Sequence, residues 1–400
     1  MNSKNMKANP LKTFFSEFLE ASKDNVRQYS MIAALLIIWI IFSVLTGGLF
    51  ITPRNLSNLF LQMCTIGILT GGMLLIMVAG HIDLSIGSVC GTLGALAAYL
   101  MTRTGIPPIF AILITVAVGF LVGSWHGFWV AYRGVPAFIV TLSSQIAFKG
   151  FTLFITNGKT IGEFSFFFKS IGQGYLPRIF FPDARFHDLT LAVFVASLVI
   201  FIILDVRKRN KRIANGLKVL PLSLEITKII VTSVGIGVVG YVLSSYRGMP
   251  FAIVILTTIV IIFTMITTRT PFGRHVYAIG GNNEAAKLSG VNTMKTLLKS
   301  FMLMGTLCGV ASIVFTARLN AATTAAGTLF ELDTIAACII GGTSTTGGVG
   351  TVFGAIIGAL VMASLDNGMS LMNVPIMYQY IIKGAILLLA VWIDIANRKK

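Results

Sequence analysis

One short polar segment separates two long apolar stretches and reads Gly280-Gly281-Asn282-Asn283-Glu284-Ala285-Ala286-Lys287-Leu288-Ser289-Gly290. Asn282 or Asn283 suits the start of a helix, because the side-chain oxygen accepts a backbone N–H that has no partner within the helix. Glu284 suits the positive end of the helix dipole, Lys287 suits the negative end, and Gly290 is a usual stop signal. The segment therefore predicts a helix of about two turns.

The composition indicates that most of the chain lies in a membrane. Of its 400 residues, 55% are hydrophobic and only 11% are charged, and the mean hydropathy is +0.86. A soluble domain carries about 25% charged residues. The apolar stretches are continuous and long enough for helices, whereas a membrane barrel would show segments of about ten residues with alternating polarity. The sequence therefore predicts an all-α, polytopic membrane helical bundle.

About twelve apolar segments are candidates for membrane spans, some of them too short to cross straight. They lie near 30–47, 63–80, 86–101, 109–131, 138–156, 188–205, 228–246, 251–268, 299–318, 331–343, 348–365 and 376–394. We predict one transmembrane domain over 30–400, preceded by a cytoplasmic segment over 1–29. The spans near 188–246 form an extra hairpin inserted between two more regular halves, and the polar loop covers about 269–298.

Basic residues predict the orientation of these spans. The net charge of +17 is explained by lysines and arginines on cytoplasmic loops, so nucleic acid is not an expected partner. Four segments hold 20 of the 31 Lys and Arg residues: 1–30, 205–228, 268–299 and 398–400. With an even number of spans these segments share one side, which places both termini and Glu284 in the cytoplasm. The run from Arg207 to Arg212 is either an orientation signal or a site for anionic lipid or a partner.

Patterns typical of enzymes or metal sites are missing from the sequence. Asn157-Gly158-Lys159-Thr160 fails as a phosphate-binding loop, because Leu153 occupies the position of the upstream glycine. The cysteines are dispersed in apolar sequence without metal-ligand spacing, which indicates packed thiols; they are Cys64, Cys90, Cys308 and Cys338. We expect no catalytic residue, no metal and no cofactor, and ATP hydrolysis must take place on another chain.

A second polar cluster interrupts an apolar stretch and reads Ala79-Gly80-His81-Ile82-Asp83-Leu84-Ser85-Ile86-Gly87-Ser88. An aspartate this close to the bilayer must be paired, capped or hydrated. Two interpretations remain open. Asp83 or Ser85 caps the following helix and supports the fold, or the broken helix lines a water-filled route for a polar solute.

A related break occurs late in the chain and reads Gly341-Gly342-Thr343-Ser344-Thr345-Thr346-Gly347-Gly348-Val349-Gly350-Thr351. Small residues recur after both breaks, in Gly87-Ser88-Val89-Cys90-Gly91 and in Gly350-Thr351-Val352-Phe353-Gly354. This similarity predicts two pseudo-repeated halves, each with a broken helix. Farther on, Asp366-Asn367-Gly368 has two interpretations, a capped turn, which we favour, or a mouth of the route.

Small residues at four-residue spacing predict helices that pack backbone against backbone; they are Gly119, Gly123 and Gly127, and also Gly305 and Gly309. Two lysines, Lys149 and Lys383, fall within predicted spans. A lysine there is costly if it faces lipid, so each is expected to snorkel, to pair or to line the route.

Together these segments resemble the permeases of ribose- and xylose-type sugar importers. The matching residues are Ile82-Asp83-Leu84-Ser85-Ile86-Gly87-Ser88, the Gly280 to Gly290 segment, Leu332-Asp333-Thr334-Ile335-Ala336-Ala337 and Ile340-Gly341-Gly342-Thr343-Ser344. The extra hairpin and the tail from Ala363 to Trp392 bring the chain nearest to the xylose-type branch. His81 is a departure, since relatives often have a carboxylate or a glycine before the Ile-Asp-Leu-Ser string.

The resemblance implies a multi-pass permease subunit of an ATP-driven importer in a bacterial inner membrane, with a pentose as the favoured substrate. It implies an ABC ATPase subunit, an extracytoplasmic sugar-binding protein and a second copy of this chain as partners, besides the sugar and membrane lipid. The main alternative is an ion-coupled sugar symporter, and a structural scaffold is a third. The symporter is weakened because the 14 acidic residues lie almost wholly in loops or span ends.

The resemblance also implies two sets of functional residues. Contact with the ATPase is expected from Gly281, Asn283, Glu284, Ala285, Ala286, Leu288, Ser289 and Gly290. The candidate translocation path contains Asp83, Ser85, Thr343, Ser344, Asp366 and Asn367.

Overall fold

The computed structural model describes residues 26–179, 181, 186–217, 219 and 221–398. Over these residues the regular structure is almost entirely helical. The helices are α1 (Val26–Leu45), α2 (Pro53–Val78), α3 (Ile86–Thr102), α4 (Pro108–Ala131), α5 (Ala137–Thr156), α6 (Phe166–Gln173), α7 (Asp188–Ala214), α8 (Leu222–Ser244), α9 (Phe251–Arg269), α10 (Pro271–Gly281), α11 (Asn283–Leu288), α12 (Thr293–Leu319), α13 (Phe330–Ile340), α14 (Val352–Leu371) and α15 (Ile376–Arg398). Two short strands, β1 (Ile161–Gly162) and β2 (Ala321–Ala322), pair antiparallel. Residues 1–25 of the predicted cytoplasmic segment lie outside the described residues.

Nine helices in the described part of the chain are long and apolar enough to cross a membrane. They are α2, α4, α5, α7, α8, α9, α12, α14 and α15. The apolar part of α1 and the whole of α3 are shorter, and α13 has only 11 residues. The protein is therefore a polytopic helical membrane protein, and the predicted fold class is confirmed at that level.

Helix α2 is the central helix of the larger of the chain's two compact units. Of its most apolar window, 94% is buried, against 78% for α12 and 22% for α4. Its side chains are apolar nearly all round, as expected for a helix with neighbours on every side. Helices α9, α12, α13 and α14 all contact it. The lipid-facing role therefore falls to the outer helices, which expose large apolar side chains.

Helix α2 also begins well before the span predicted from residue 63. It starts at Pro53, which suits a first turn because proline has no N–H to satisfy there. The first turn contains polar residues, and a span prediction based on apolar residues therefore placed the start of α2 too late. Ser57 is buried, and Asn55 pairs with Asn367 of α14. Packing between helices, which the sequence does not display, sets this boundary.

The predicted backbone-to-backbone packing is found between α4 and α12. A Cβ atom at Gly119 would overlap the carbonyl oxygen of Gly305, and one at Gly123 would overlap the carbonyl oxygen of Phe301. On the other helix, a Cβ at Gly309 would lie 2.8 Å from the Cα of Val116. These helices touch so closely only because the residues are glycines.

The chain divides into two compact units, one of which contains Leu176–Met249 and therefore α7 and α8. In this unit His187 caps α7, because its Nδ1 accepts the backbone N–H of Thr190 at 3.4 Å. The basic run Arg207 to Arg212 lies in the last turns of α7. Glu225 of α8 pairs with Arg209 at 3.3 Å and with Lys228 at 2.8 Å. The other unit contains residues 31–175 and 250–398.

Both predicted breaks are present in this second unit. The first separates α2 from α3 over residues 79–85, and the second separates α13 from α14 over residues 341–351. The predicted turn at Asp366-Asn367-Gly368 is wrong, because α14 continues to Leu371. Gly368 lies against the ring of Phe42. The glycine therefore allows close packing and does not end the helix.

Candidate functional site

The polar segment (Gly280–Gly290) contains the predicted helix, which begins at an asparagine cap and ends before a glycine, as predicted. Asn282 starts α11 by accepting the backbone N–H of Ala285 at 3.0 Å. Helix α11 ends at Leu288, and Gly290 follows with φ +84°. The N–H of Gly290 donates to the carbonyl oxygen of Lys287 at 3.0 Å. Left-handed backbone after the last turn is a common way to end a helix, and glycine adopts it without strain.

Nearly all of the polar segment from Gly281 to Gly290 is exposed. Ala286 is the exception, with 5% of its surface accessible. Leu288, two residues later, is 90% exposed although it is the only large apolar side chain of α11. Helix α11 is thus anchored on one side through Ala286 and presents Leu288 to its surroundings.

A glycine joint, formed by Gly80, Gly280 and Gly347, connects the polar segment to both helix breaks. The backbone N–H of Gly348 donates to the carbonyl oxygen of Val78 at 2.9 Å. A Cβ at Gly347 would lie 3.0 Å from both the Cα of Gly280 and the N of Gly80. Tyr277 of α10 adds a side-chain contact, since its hydroxyl donates to the Gly350 carbonyl oxygen at 2.7 Å. Helix α10 therefore touches the end of α2, the first break and the second break.

The first break is held by hydrogen bonds around Asp83. Its Oδ1 accepts the backbone N–H of Ser85 at 2.9 Å and the Ser85 hydroxyl at 2.6 Å. Both side chains are buried. Ser85 stands directly before α3 but forms no side-chain cap, so the predicted cap by Ser85 is not observed, whereas Asp83 accepts the backbone N–H of Ser85 itself. The carboxylate stabilises the break itself, because two polar groups of Ser85 would otherwise be buried without acceptors.

The second break is held by a compact set of backbone and hydroxyl bonds. The Ser344 N–H donates to the carbonyl oxygen of Val349 at 2.8 Å, which closes the loop. The Ser344 hydroxyl lies 3.1 Å from the hydroxyl of Thr346. Thr343 is fully buried, and its hydroxyl has no hydrogen-bond partner among the described residues. Thr343 and Ser344 are therefore part of a folded loop, as Asp83 and Ser85 are.

A charge cluster of Asp333, Asp366 and Lys383 joins α13, α14 and α15. The Lys383 ammonium lies 2.9 Å from Oδ2 of Asp333 and 2.9 Å from each carboxylate oxygen of Asp366. The side chains of Lys383 and Asp333 are 15% and 6% exposed. Of the expectations for Lys383, pairing is the one observed. The sequence showed these residues singly but not that three helices bring them together.

Next to this cluster, Asn367 and Asn55 form a pair of amide hydrogen bonds. Asn55 Nδ2 donates to Asn367 Oδ1 at 2.8 Å, and Asn367 Nδ2 donates to Asn55 Oδ1 at 3.1 Å. Asn367 is buried. The two C-terminal path candidates, Asp366 and Asn367, therefore connect α14 to other helices, and they lie on a different part of α14 from the second break, which precedes Val352.

A cavity of about 270 Å³, with several polar side chains in a largely apolar lining, lies between α3, α5 and the segment that leads into α13. Gln145 and Lys149, one turn apart on α5, line it together with Glu331 of α13. Gln145 Nε2 donates to Glu331 Oε1 at 2.8 Å. Of these three residues, Lys149 alone was indicated by the sequence. An amide and a lysine at four-residue spacing in an apolar helix were the available signal.

All four cysteines are free and buried. Within the described ranges, no group of three or more His, Cys, Asp or Glu is arranged to hold a metal ion.

The fold and these contacts define a class: a polytopic membrane protein with discontinuous helices, the arrangement typical of membrane transport proteins. The chain belongs to the permease family described as "Branched-chain amino acid transport system / permease component", whose model matches residues 55–391.

Its relatives include permeases named for sugars. The chain is similar to the xylose transport system permease protein XylH of Haemophilus influenzae, with 45% identity over 94% of this chain and 98% of the relative. It is 43% identical to XylH of Escherichia coli K12, over 94% of this chain and 93% of the relative. The ribose import permease RbsC of Bacillus subtilis is 29% identical over 92% and 91% of the two chains. No solved structure matches the chain.

Proposed function

We propose that this chain is the permease subunit of an ATP-driven, binding-protein-dependent sugar importer of the bacterial inner membrane, and that its substrate is xylose. The observation that carries the proposal is 45% identity, over nearly the whole of both chains, to a xylose transport system permease. Permeases named for ribose and allose are 29% and 30% identical. The higher identity favours a pentose of the xylose type.

Such an importer needs partners that supply energy and deliver the sugar. A separate ABC ATPase subunit hydrolyses ATP, because this sequence has no phosphate-binding loop. An extracytoplasmic binding protein delivers the sugar and sets most of the selectivity. A second copy of the chain completes the route, membrane lipid surrounds it, and no nucleic acid takes part.

The proposed topology has about twelve complete or partial spans in two pseudo-repeated halves, with both termini cytoplasmic. The nine long apolar helices support it, together with the shorter α1, α3 and α13. We retain one transmembrane domain over 30–400, a cytoplasmic segment over 1–29 and an inserted hairpin over about 188–246. The two breaks, over 79–85 and 341–351, occupy corresponding places in the proposed halves.

The polar segment is the proposed contact with the ATPase. Helix α11 docks through its exposed side, with Leu288 as an apolar anchor, and its neighbours Gly281, Asn283, Glu284, Ala285, Ser289 and Gly290 form the rest of the surface. Ala286 faces the permease and transmits movement to it. When ATP closes the ATPase pair, α10 moves with α11, and the glycine joint passes the displacement to both breaks. The route then switches from being open to one side of the membrane to being open to the other.

The predicted path residues keep their place in this proposal, as two groups. Asp83, Ser85, Thr343 and Ser344 belong to the breaks, which the displacement of α10 would rearrange. Asp366 and Asn367 belong to contacts between helices that hold α14 while the breaks move. Their internal hydrogen bonds and burial support roles in closing and supporting the route.

Transport in reconstituted vesicles tests the proposal. Proteoliposomes would contain this chain with the ATPase and the binding protein encoded beside it, and would be given labelled xylose with and without ATP. ATP-dependent accumulation that requires all three proteins is the expected result. Accumulation driven by an ion gradient through this chain alone would overturn it and establish the symporter, an alternative that membership in a permease family does not support.

A further inference from the structure

We propose that the cavity between α3, α5 and the start of α13 is a sugar contact site on the translocation route, where Gln145 and Glu331 bond to hydroxyl groups of a passing monosaccharide. Its lining includes Ser88 of α3, Gln145 and Lys149 of α5, Thr324 and Glu331. The inference rests on the proposed function and deepens it, because it names side chains that meet the sugar. Of these residues the sequence suggested Lys149 alone, as one that snorkels, pairs or lines the route.

The cavity is built so that a carboxylate is held firmly at its wall. Glu331 is only 6% exposed, and its Oε1 accepts the bond from Gln145 Nε2 at 2.8 Å. Behind the carboxylate, a Cβ atom at Gly87 would overlap both Glu331 Oε2 and the carbonyl oxygen of Gly327. The start of α3 therefore fits against the start of α13 only because residue 87 is glycine. This contact fixes Glu331 and leaves the cavity beside it open.

The groups around the cavity match the chemistry of a sugar. Each sugar hydroxyl donates one hydrogen bond and accepts others, so a site needs both kinds of partner. Glu331 accepts, the Lys149 ammonium donates, and the Gln145 amide does both. One carboxylate and one ammonium leave the cavity without net charge, which suits a neutral solute. A few polar groups placed around a concave site are the usual basis of orientation and specificity for small ligands.

The position of the cavity in the fold also points to a route. It adjoins the first turn of α3, which follows the first break, and the first turn of α13, which follows the irregular segment 323–329. Substrate sites of transporters commonly lie at such discontinuous helices. Ile146 in the lining is 71% exposed, so the cavity is not sealed from the surface of the chain.

The charge cluster offers a contrast that favours the cavity as the contact site. Lys383 is already held 2.9 Å from carboxylates of both Asp333 and Asp366. At the cavity, Lys149 is exposed, and Gln145 is the one side chain in the described part of the chain that donates a hydrogen bond to the Glu331 carboxylate. The cavity groups can therefore exchange their present bonds for bonds to a sugar with little rearrangement.

Uptake by variants of the complete transporter tests the inference. Gln145→Leu keeps the size of the side chain but removes its donor and acceptor. We expect ATP-driven uptake of labelled xylose to fall at least tenfold, while ATP hydrolysis stimulated by the binding protein stays within twofold of the unmodified complex. Ser143→Val is the matched control, because Ser143 is exposed on the same helix and lies outside the cavity lining; its uptake should stay within twofold.

A second variant guards against a folding defect. Glu331→Gln keeps the shape and an acceptor but loses the charge, and it should lower xylose uptake and change the ratio of xylose to ribose uptake by at least threefold. A role in folding alone would lower both uptake rates together and leave their ratio unchanged. The amount of assembled complex and its thermal midpoint are measured for each variant.

Thiol labelling gives a readout that does not depend on the uptake rate. All four native cysteines are buried and free, so Gln145→Cys adds one reactive position. We expect a small water-soluble thiol reagent to label it, and xylose to slow the labelling at least threefold during turnover, whereas mannitol does not. Ser143→Cys should be labelled equally with and without xylose.

The outcomes separate the two proposals. If the unmodified complex accumulates xylose with ATP but Gln145→Leu matches it, the contact site is overturned and the proposed function stands. Loss of both uptake and ATP hydrolysis in an intact Gln145→Leu complex also overturns the contact site, since it would place the defect in coupling. If the unmodified complex fails to accumulate xylose with ATP, the proposed function itself fails.

Discussion

The polar segment and the charge cluster both place polar side chains in an apolar chain, but they are stabilised over different distances. In the polar segment the hydrogen bonds join residues three to five positions apart, and every side chain from Asn282 to Ser289 except that of Ala286 is exposed. In the charge cluster Lys383 reaches Asp366 and Asp333, 17 and 50 positions away, inside the bundle. The first is therefore suited to contact another protein, and the second to hold three helices of this one.

The largest effect is expected from breaking the polar segment. Gly290→Pro fixes φ near −65° where the chain has +84°, and it removes the N–H that donates to Lys287. Bulky residues in place of Glu284-Ala285-Ala286 would disturb the same helix. Both changes should abolish ATP-driven xylose uptake without lowering the amount of protein in the membrane. Uptake in proteoliposomes and quantitative immunoblotting measure the two quantities.

The chain provides a matched control for this change. Gly216 follows α7 with φ +67°, and its N–H donates to Ile213 at 3.0 Å, just as Gly290 donates to Lys287. Gly216→Pro damages a helix end of the same design between α7 and α8, away from the polar segment in the sequence, so uptake should persist. Equal loss of uptake in both variants would remove the special role assigned to the polar segment.

A change in the charge cluster should mainly lower the free energy of unfolding. Lys383→Met leaves two partly buried carboxylates without their cation, and breaking a buried ion pair in this way costs about 3–5 kcal/mol. Denaturant unfolding of the purified protein in detergent measures the loss. Lys299→Met, an exposed site on α12, is the control and should change stability by less than about 0.5 kcal/mol.

Restoring neutrality should reverse that loss. In the triple variant Lys383→Met, Asp333→Asn and Asp366→Asn, no charge is left uncompensated, so most of the stability should return. A triple variant less stable than Lys383→Met alone would show that the carboxylates stabilise the bundle through contacts other than Lys383.

Replacing Asp83 tests whether the first break mainly stabilises the fold, as the charge cluster does, or mainly serves uptake, as we propose for the polar segment. Asp83→Ala leaves the N–H and hydroxyl of Ser85 buried without an acceptor, which costs about 1–3 kcal/mol. Asp83→Asn keeps an oxygen acceptor and should lose less than half as much. Unfolding and uptake are measured on the same preparations. Normal stability of Asp83→Ala with lost uptake would instead assign Asp83 to the route.

The smallest effect is expected at the start of α11. Asn282→Ala removes the cap on the Ala285 N–H, which costs about 1 kcal/mol of helix stability. That energy corresponds to about a fivefold change in the folded population of this short helix. Hydrogen exchange of the α11 amides should quicken by that factor, and uptake should fall by no more. Asn282→Asp keeps the cap and should exchange at the original rate.

This comparison also explains what the sequence could and could not predict. Helix α11, its Asn282 cap and its end before Gly290 are decided within eleven residues, so local chemistry predicted them. Both helix breaks were visible for the same reason. The close packing of α4 on α12 was predicted because small residues at four-residue spacing have one common use in membrane helices.

The features that the sequence did not predict depend on contacts between residues far apart in the chain. The pair of Asn55 with Asn367 places the start of α2 ten residues before the predicted span, and nothing local reports it. Gly368 carried a turn signal, yet the ring of Phe42 makes it a packing residue. Glu331 and Gln145, 186 positions apart, became a candidate site only when α5 and α13 were seen side by side.

The glycine joint of Gly80, Gly280 and Gly347 has a mechanical consequence. Side chains absorb small movements by changing rotamer, whereas packed backbone has low compressibility and transmits strain. A contact made of backbone alone is therefore rigid and transmits a displacement with little loss. A shift of α10 by a fraction of an ångström would therefore displace the backbone of both helix breaks directly, without first being absorbed by side-chain rotamers.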